Sequence, residues 1–196
     1  MISPRNDRAL HEELQRVTEL VAQRDDANAV PTPAGEFLHA LVLAGGFRRV
    51  LELGTGLGYS GLWIGAALRQ TGGALVTIDA NAEKSAAAAA AFHRAGLSSV
   101  ISPMVGRIAA TLETLGGQFD FVFIDADKQP VLDYWRLLRP RLADRATVVT
   151  DNVKTHPQEL AAFLEYVRSL ADFHSAPLDI GNGMELTVRL PGSARG

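Results

Sequence analysis

The hydrophobic positions of this chain alternate between two spacings. Short continuous apolar runs at Arg49–Leu53, Ala74–Ile78, Asp120–Asp125 and Ala146–Thr150 have the length and composition of strands buried on both faces. Between them, apolar residues recur every three or four positions, as on one face of a helix. These segments are Ser60–Arg69, Asn81–Leu97, Ile108–Leu115, Val131–Leu142 and Pro157–Leu170. Ser99–Met104 is a shorter strand candidate that keeps the alternation going. The six consecutive alanines Ala86–Ala91 favour helix by propensity and suit close packing on a sheet, and Gly96 stands where a left-handed C-terminal cap is expected.

Two helices are predicted ahead of the first strand. Arg8–Arg24 carries Leu10, Leu14, Val17, Leu20 and Val21 at helical spacing, so it should pack on the sheet or on a partner subunit, or else act as a lid over a pocket. A loop over Asp25–Thr32 follows. Thr32 is read as the N-cap of the second helix and Pro33 as its first residue, with Gly45-Gly46 as the stop. At the other end, strands near Asp172–Leu178 and Met184–Leu190 flank Ile180-Gly181-Asn182-Gly183 and predict a hairpin-like pair, with 191–196 as a flexible tail. The alternation of strand and helix predicts an α/β fold, a parallel sheet with helices on both faces. No internal boundary is visible, so residues 1–196 are read as one domain, with 1–31 an N-terminal helix and loop.

Composition removes several function classes. With 19 Lys and Arg against 22 Asp and Glu, the formal net charge is −3, which gives no basic surface for nucleic acid. There is no cysteine, which excludes disulfides, thiolate metal sites and thiol nucleophiles. The N-terminal stretch is charged throughout, and no apolar run reaches the length of a bilayer. A soluble cytoplasmic protein with neither nucleic-acid nor membrane partner is the expectation.

Chemistry-bearing residues collect at strand ends. The first strand runs into Gly54-Thr55-Gly56-Leu57-Gly58, a turn in which glycines allow positive φ and close approach of backbone to a ligand. Three later strands end in acids, Asp79, Asp125 and Asp151, the last followed by Asn152. Any one of them could simply cap the next helix. In an open parallel sheet, however, ligands bind outside the carboxyl ends of the strands, where all three converge. Asp79 sits where an acid accepts hydrogen bonds from a ribose diol. Glu52, directly before the glycines, would repel a pyrophosphate but suits a cationic cofactor, and the spacing G-x-G-x-G departs from the dinucleotide pattern. Asp125, Asp151 and Asn152 make an all-oxygen set suited to Mg2+, Mn2+ or Ca2+. Lys128, three residues past Asp125, is a candidate general base, since a cation beside it favours its neutral form. No pair among the five histidines has zinc-ligand spacing, and His156 is the one placed to approach a substrate.

The stretches VLELGTGLGYS, FDFVFIDADK and VVTDNV, in this order and with the strand ending at Asp79 between the first two, resemble the metal-dependent class I O-methyltransferases of the catechol and caffeoyl-CoA type. The resemblance covers roughly Thr32 to Val153 and implies a Rossmann-like seven-stranded sheet, mostly parallel, with an antiparallel C-terminal strand. It implies that Glu52, Gly54, Thr55, Gly58, Tyr59, Ser60, Asp79, Ala80, Ile108 and Asp125 bind S-adenosylmethionine. Asp79 would take the ribose hydroxyls, Gly54 the amino-acid end and Ile108 the adenine border. It further implies that Asp125, Asp151 and Asn152 bind Mg2+, with Mn2+ or Ca2+ as alternatives, and that Lys128 and Asp125 are catalytic. The acceptor would be a catechol-like vicinal diol and the assembly a homodimer. Ala126 and Asp127 stand where the animal catechol enzymes carry a bulky aromatic pair, as in bacterial and plant versions, so the acceptor wall cannot be copied. An NAD(P)-dependent oxidoreductase on a similar sheet and a non-catalytic S-adenosylmethionine-binding protein are the alternatives.

Overall fold

A computed structural model describes residues 7–192; the first six residues and positions 193–196 of the expected flexible tail lie outside the described residues. The strands are Arg49–Leu53 (β1), Ala74–Asp79 (β2), Ile101–Val105 (β3), Phe119–Ile124 (β4), Leu142–Asp151 (β5), Phe173–Leu178 (β6) and Met184–Arg189 (β7). They form one seven-stranded sheet in the order β3-β2-β1-β4-β5-β7-β6. Strands β1 to β5 are mutually parallel, and β7 runs antiparallel between β5 and β6. The helices are Arg8–Ala22 (α1), Thr32–Gly45 (α2), Tyr59–Thr71 (α3), Ala82–Arg94 (α4), Ile108–Thr114 (α5), Val131–Leu138 (α6) and Pro157–Ser169 (α7). This is the α/β, mostly parallel, Rossmann-like sheet that the sequence predicted.

Continuous apolar strands follow from burial on both faces. Val50, Phe121 and Phe123 join one core with Leu38 of α2, Leu62 of α3 and Phe92 of α4. Leu51, Leu53, Val122 and Ile124, the alternate positions, join a second core with Leu112 of α5, Trp135 of α6 and Phe163 of α7. Trp135 meets Phe163 and Phe173 edge-on at 5.9 and 5.1 Å, a geometry worth about 0.5–1.5 kcal/mol per pair beyond area burial.

Several boundaries differ from the sequence reading, each for a local reason. Helix α1 lies on α3 and α4, not on the sheet. Its buried Glu13 accepts from Arg94 Nε at 2.8 Å, and Arg69 of α3 pairs with Asp7, the N-cap of α1. Thr32 is inside α2, with Pro31 as the cap, and its hydroxyl meets the Tyr59 hydroxyl at 3.0 Å instead of capping. The helix read to Leu142 ends at Leu138, where Pro140 forces a 3-10 turn over Arg139–Arg141. Strand β5 therefore starts at Leu142, earlier than read, and accommodates the extra length with a bulge opposite Phe119–Phe121, Arg145 lying at φ 60°. Strand β3 starts two residues later than read.

Candidate active site

The carboxyl ends of β1, β2, β4 and β5 share one rim. Beyond β1 the chain turns through Gly54, Gly56 and Gly58 at φ 100°, 51° and 90°. Each glycine has its own reason. At Gly54 a Cβ would lie 2.2 Å from the Asp125 carbonyl oxygen, so its absence lets the ends of β1 and β4 close up. At Gly58 it would meet Phe92 at 2.9 Å and Ala88 at 3.0 Å, so this glycine seats the alanine-rich α4. Gly56 faces open space, with the Asn28 carbonyl oxygen 3.9 Å from where its Cβ would be.

The Gly56 amide donates to Asp79 Oδ2 at 2.8 Å, and the Asn81 amide donates to Oδ1 at 2.8 Å. Two backbone amides thus hold the Asp79 carboxylate, which has about four acceptor positions and keeps two for a ligand. Ala80 follows on the exposed side. The Gly106 amide bonds the Asp79 carbonyl at 2.9 Å and brings Ile108, the first residue of α5, to the same rim.

Glu52 stands behind the turn, fully buried (0% exposed). Its Oε2 accepts from Thr77 Oγ1 at 2.6 Å, and Thr77 shares a 2.7 Å hydrogen bond with Thr55 Oγ1. With Thr77's proton committed to the carboxylate, Thr55 donates to Thr77. Glu52 Oε1 makes no well-formed hydrogen bond, with the Ser60 side chain near the carboxylate. Burial pushes the carboxyl up to about 7, with Asp125 and Asp79 adding and Ser60 and Thr77 opposing. The side chains of Thr55, Tyr59 and Ser60 are likewise buried, so they brace the turn from within.

At the other half of the rim, Lys128 Nζ donates to Asp125 Oδ1 at 2.9 Å, the two side chains being 14% and 24% exposed. Desolvation raises the Asp125 pKa, and Lys128 and then His156 pull it down. Asp151, the last residue of β5, is 1% exposed, and neither carboxylate oxygen makes a well-formed hydrogen bond, although the Asn152 main-chain amide and the Asn182 side chain approach closely enough to lower its pKa. Burial pushes it up to about 6, with the Asp125 charge adding. A buried carboxylate so weakly partnered is costly, and a cation beside it would offset that cost. Asn152 follows at φ 70°, a left-handed conformation that breaks the strand alternation. Among the described residues no three of His, Cys, Asp and Glu form a metal-binding group. The set at this rim is two carboxylates and one amide, an oxygen set for a hard cation.

Of the histidines, His39 is buried against Trp63, bonding its carbonyl at 3.0 Å, and His11, His93 and His174 are exposed. His156 is near enough to influence Asp125. The sequence reading missed two segments of this half. The β6–β7 turn is bonded to the loop after β5 by Val153 N to Gly183 O and Lys154 N to Asn182 O, both 3.1 Å, and by the Lys154–Asp179 ion pair. Thr155 is bonded to the Asn152 side chain at 3.1 Å. The signals were a G-N-G turn and a threonine, both commonplace until β7 is seen to pair with β5 at Asp151. On the cofactor half, Arg24 bridges Asp26 and Glu83 and holds the loop before α2 near the glycine turn.

Residues 51–153 match the family model for a methyltransferase domain, a span holding the glycine turn, Asp79, Asp125, Lys128, Asp151 and Asn152. A catechol O-methyltransferase from Niastella koreensis is 36% identical over 135 residues, 65% of this chain and 59% of that protein. One from Mycobacterium tuberculosis is 40% identical over 129 residues, 64% of this chain and 57% of that protein. The matched region is thus less than two thirds of either relative's length. Among solved structures, the O-methyltransferase TomG from Streptomyces achromogenes, involved in tomaymycin synthesis and crystallised with S-adenosylmethionine, superposes with a TM-score of 0.81 at 30% identity, covering 94% of this chain and 90% of that one.

Proposed function

The chain belongs to the methyltransferase-domain family, and on that premise we propose that it transfers a methyl group from S-adenosylmethionine to one hydroxyl of a catechol-like vicinal diol, with a divalent cation beside the acceptor. Mg2+ is the first choice, Mn2+ and Ca2+ the alternatives. The observation that carries the reading is Asp151, 1% exposed with neither carboxylate oxygen in a well-formed hydrogen bond, next in sequence to Asn152 and close enough to Asp125 for their charges to interact. Asp125, Asp151 and Asn152 fit a hard cation by donor type. When bound there, such a cation acts as a Lewis acid that eases loss of a proton from a chelated hydroxyl.

The remaining steps belong to the chain's own residues. Lys128 in its neutral form takes the acceptor's proton at Nζ and becomes an ammonium, and its 2.9 Å contact with Asp125 keeps the amine at the rim. The acceptor oxygen then displaces sulfur at the methyl carbon: a C–O bond forms as the C–S bond breaks, leaving a methyl ether and a neutral thioether. Asp79 offers its two open acceptor positions to the ribose diol, with Ile108 and Ala80 at the adenine border. Glu52, Gly54 and Ser60 serve the amino-acid end, and Thr55, Gly58 and Tyr59 shape the turn. The acidic rim suits a sulfonium and disfavours a pyrophosphate, and the Gly56 amide a phosphate would need is already bonded to Asp79. Holding the two reactants aligned is worth about 7–11 kcal/mol in well-oriented systems. A homodimer in the cytoplasm is part of the same proposal.

Lys128→Ala tests the base assignment. Turnover should fall by about 10²–10⁴-fold, the usual range for a positioned base, while S-adenosylmethionine affinity stays within a few-fold. Unchanged turnover removes Lys128 from the reaction.

A further inference from the structure

We propose that Thr155 is a positioning residue for the cation site: its hydroxyl sets the amide of Asn152 so that Oδ1, and not the NH2 group, is left for the cation. The inference rests on the reading of Asp125, Asp151 and Asn152 as ligands of a divalent cation. An asparagine can serve a cation only through its carbonyl oxygen, and the same side chain turned by half a rotation presents two N–H donors instead. Something beside the ligand has to choose between the two.

Thr155 Oγ1 lies 3.1 Å from Asn152 Nδ2. A hydroxyl has one proton to give. The Asn152 main-chain carbonyl at 3.4 Å is placed to take the proton of Thr155, and His156 Nδ1 at 3.1 Å takes it in the tautomer that carries the ring proton on Nε2. With that proton committed to either, Oγ1 can only accept from the Asn152 side chain, and so the amide nitrogen has to be the atom facing it. A reversed amide would set oxygen against oxygen.

The loop keeps this arrangement in place. The His156 amide bonds the Asn152 carbonyl at 2.9 Å, and the intervening Val153 and Lys154 amides are tied to Gly183 and Asn182. Asn152 itself holds φ 70°, a conformation that few side chains other than asparagine tolerate. Outer partners of this kind orient metal ligands generally, and their loss typically lowers metal affinity by about 10- to 100-fold.

The test is Mn2+ binding, read by the electron paramagnetic resonance signal of free Mn2+, with neither S-adenosylmethionine nor acceptor present. Wild type, Thr155→Ser, Thr155→Val, Thr155→Ala and Asp151→Asn are compared. Thr155→Ser keeps the hydroxyl and should bind within about twofold of wild type, whereas Thr155→Val and Thr155→Ala should bind about tenfold more weakly or worse. Thr155 is exposed, so neither change threatens the fold, and coincident thermal melts verify it. If the valine and alanine variants bind like wild type, or if serine binds as weakly as valine, the positioning role is wrong and the cation site stands. If wild type does not bind Mn2+, or Asp151→Asn binds as well as wild type, the cation reading itself fails.

Discussion

Replacing Glu52 by glutamine removes a charge that the fold holds at a cost. Glu52 is fully buried at the end of β1, and burial first, then the Asp125 and Asp79 charges, pushes its pKa up to about 7 from an ordinary value of 4.5. The folded pKa lies above the unfolded one, so between these values the folded protein binds the extra proton and its stability falls as pH rises. A shift of about 2.5 units at about 1.36 kcal/mol per unit makes the ionised carboxylate cost about 3 kcal/mol at pH 8 and less than about 1 kcal/mol at pH 5. Glutamine has no charge to bury, and its oxygen can still accept from Thr77. Urea unfolding of the cofactor-free protein is the assay. Glu52→Gln should be more stable than wild type by about 2–3 kcal/mol at pH 8 and nearly equal to it at pH 5. Asp151, raised to about 6, is present in both proteins and shapes both curves alike. Parallel curves from pH 5 to pH 8 would refute the reasoning, because they would mean that Glu52 is ionised at little cost.

Two further outcomes concern the cofactor half. Gly54→Ala places a Cβ 2.2 Å from the Asp125 carbonyl at φ 100°, and should cost about 3 kcal/mol or more, seen as a lowered urea midpoint together with lost S-adenosylmethionine binding. Asp79→Asn should weaken S-adenosylmethionine by about tenfold or more in a calorimetric titration, since one oxygen becomes an N–H donor facing amide or ribose donors; affinity equal to wild type removes Asp79 from the ribose contact.

The sheet was legible because parallel strands buried on both faces leave continuous apolar runs. Val50 and Leu51 enter opposite cores, so neither can be polar. Their termini carried the site for the same reason, since the only acids in these strands besides Glu52, Asp120 and Asp144 are those at the carboxyl rim. What could not be read depends on neighbours distant in sequence. Thr32 has the type of an N-cap, but Tyr59 gives its hydroxyl another partner. The place of Glu52 before the glycines shows in the sequence, but that Thr77 on the adjacent strand holds its Oε2 does not. Gly58 looked like a ligand-facing glycine, and Phe92 of α4 fills the space beside it. Thr155 matters only through a side-chain contact with Asn152 that no periodicity records.

Transfer of a labelled methyl group from S-adenosylmethionine to catechol, measured with Mg2+ and again after EDTA, tests the central claim most directly. The account predicts labelled methyl ether with catechol and Mg2+, loss of the product after EDTA, its return when Mg2+ is restored, and little product from a phenol lacking the second hydroxyl. Methyl transfer that EDTA leaves unchanged, or that phenol supports as well as catechol, would contradict it.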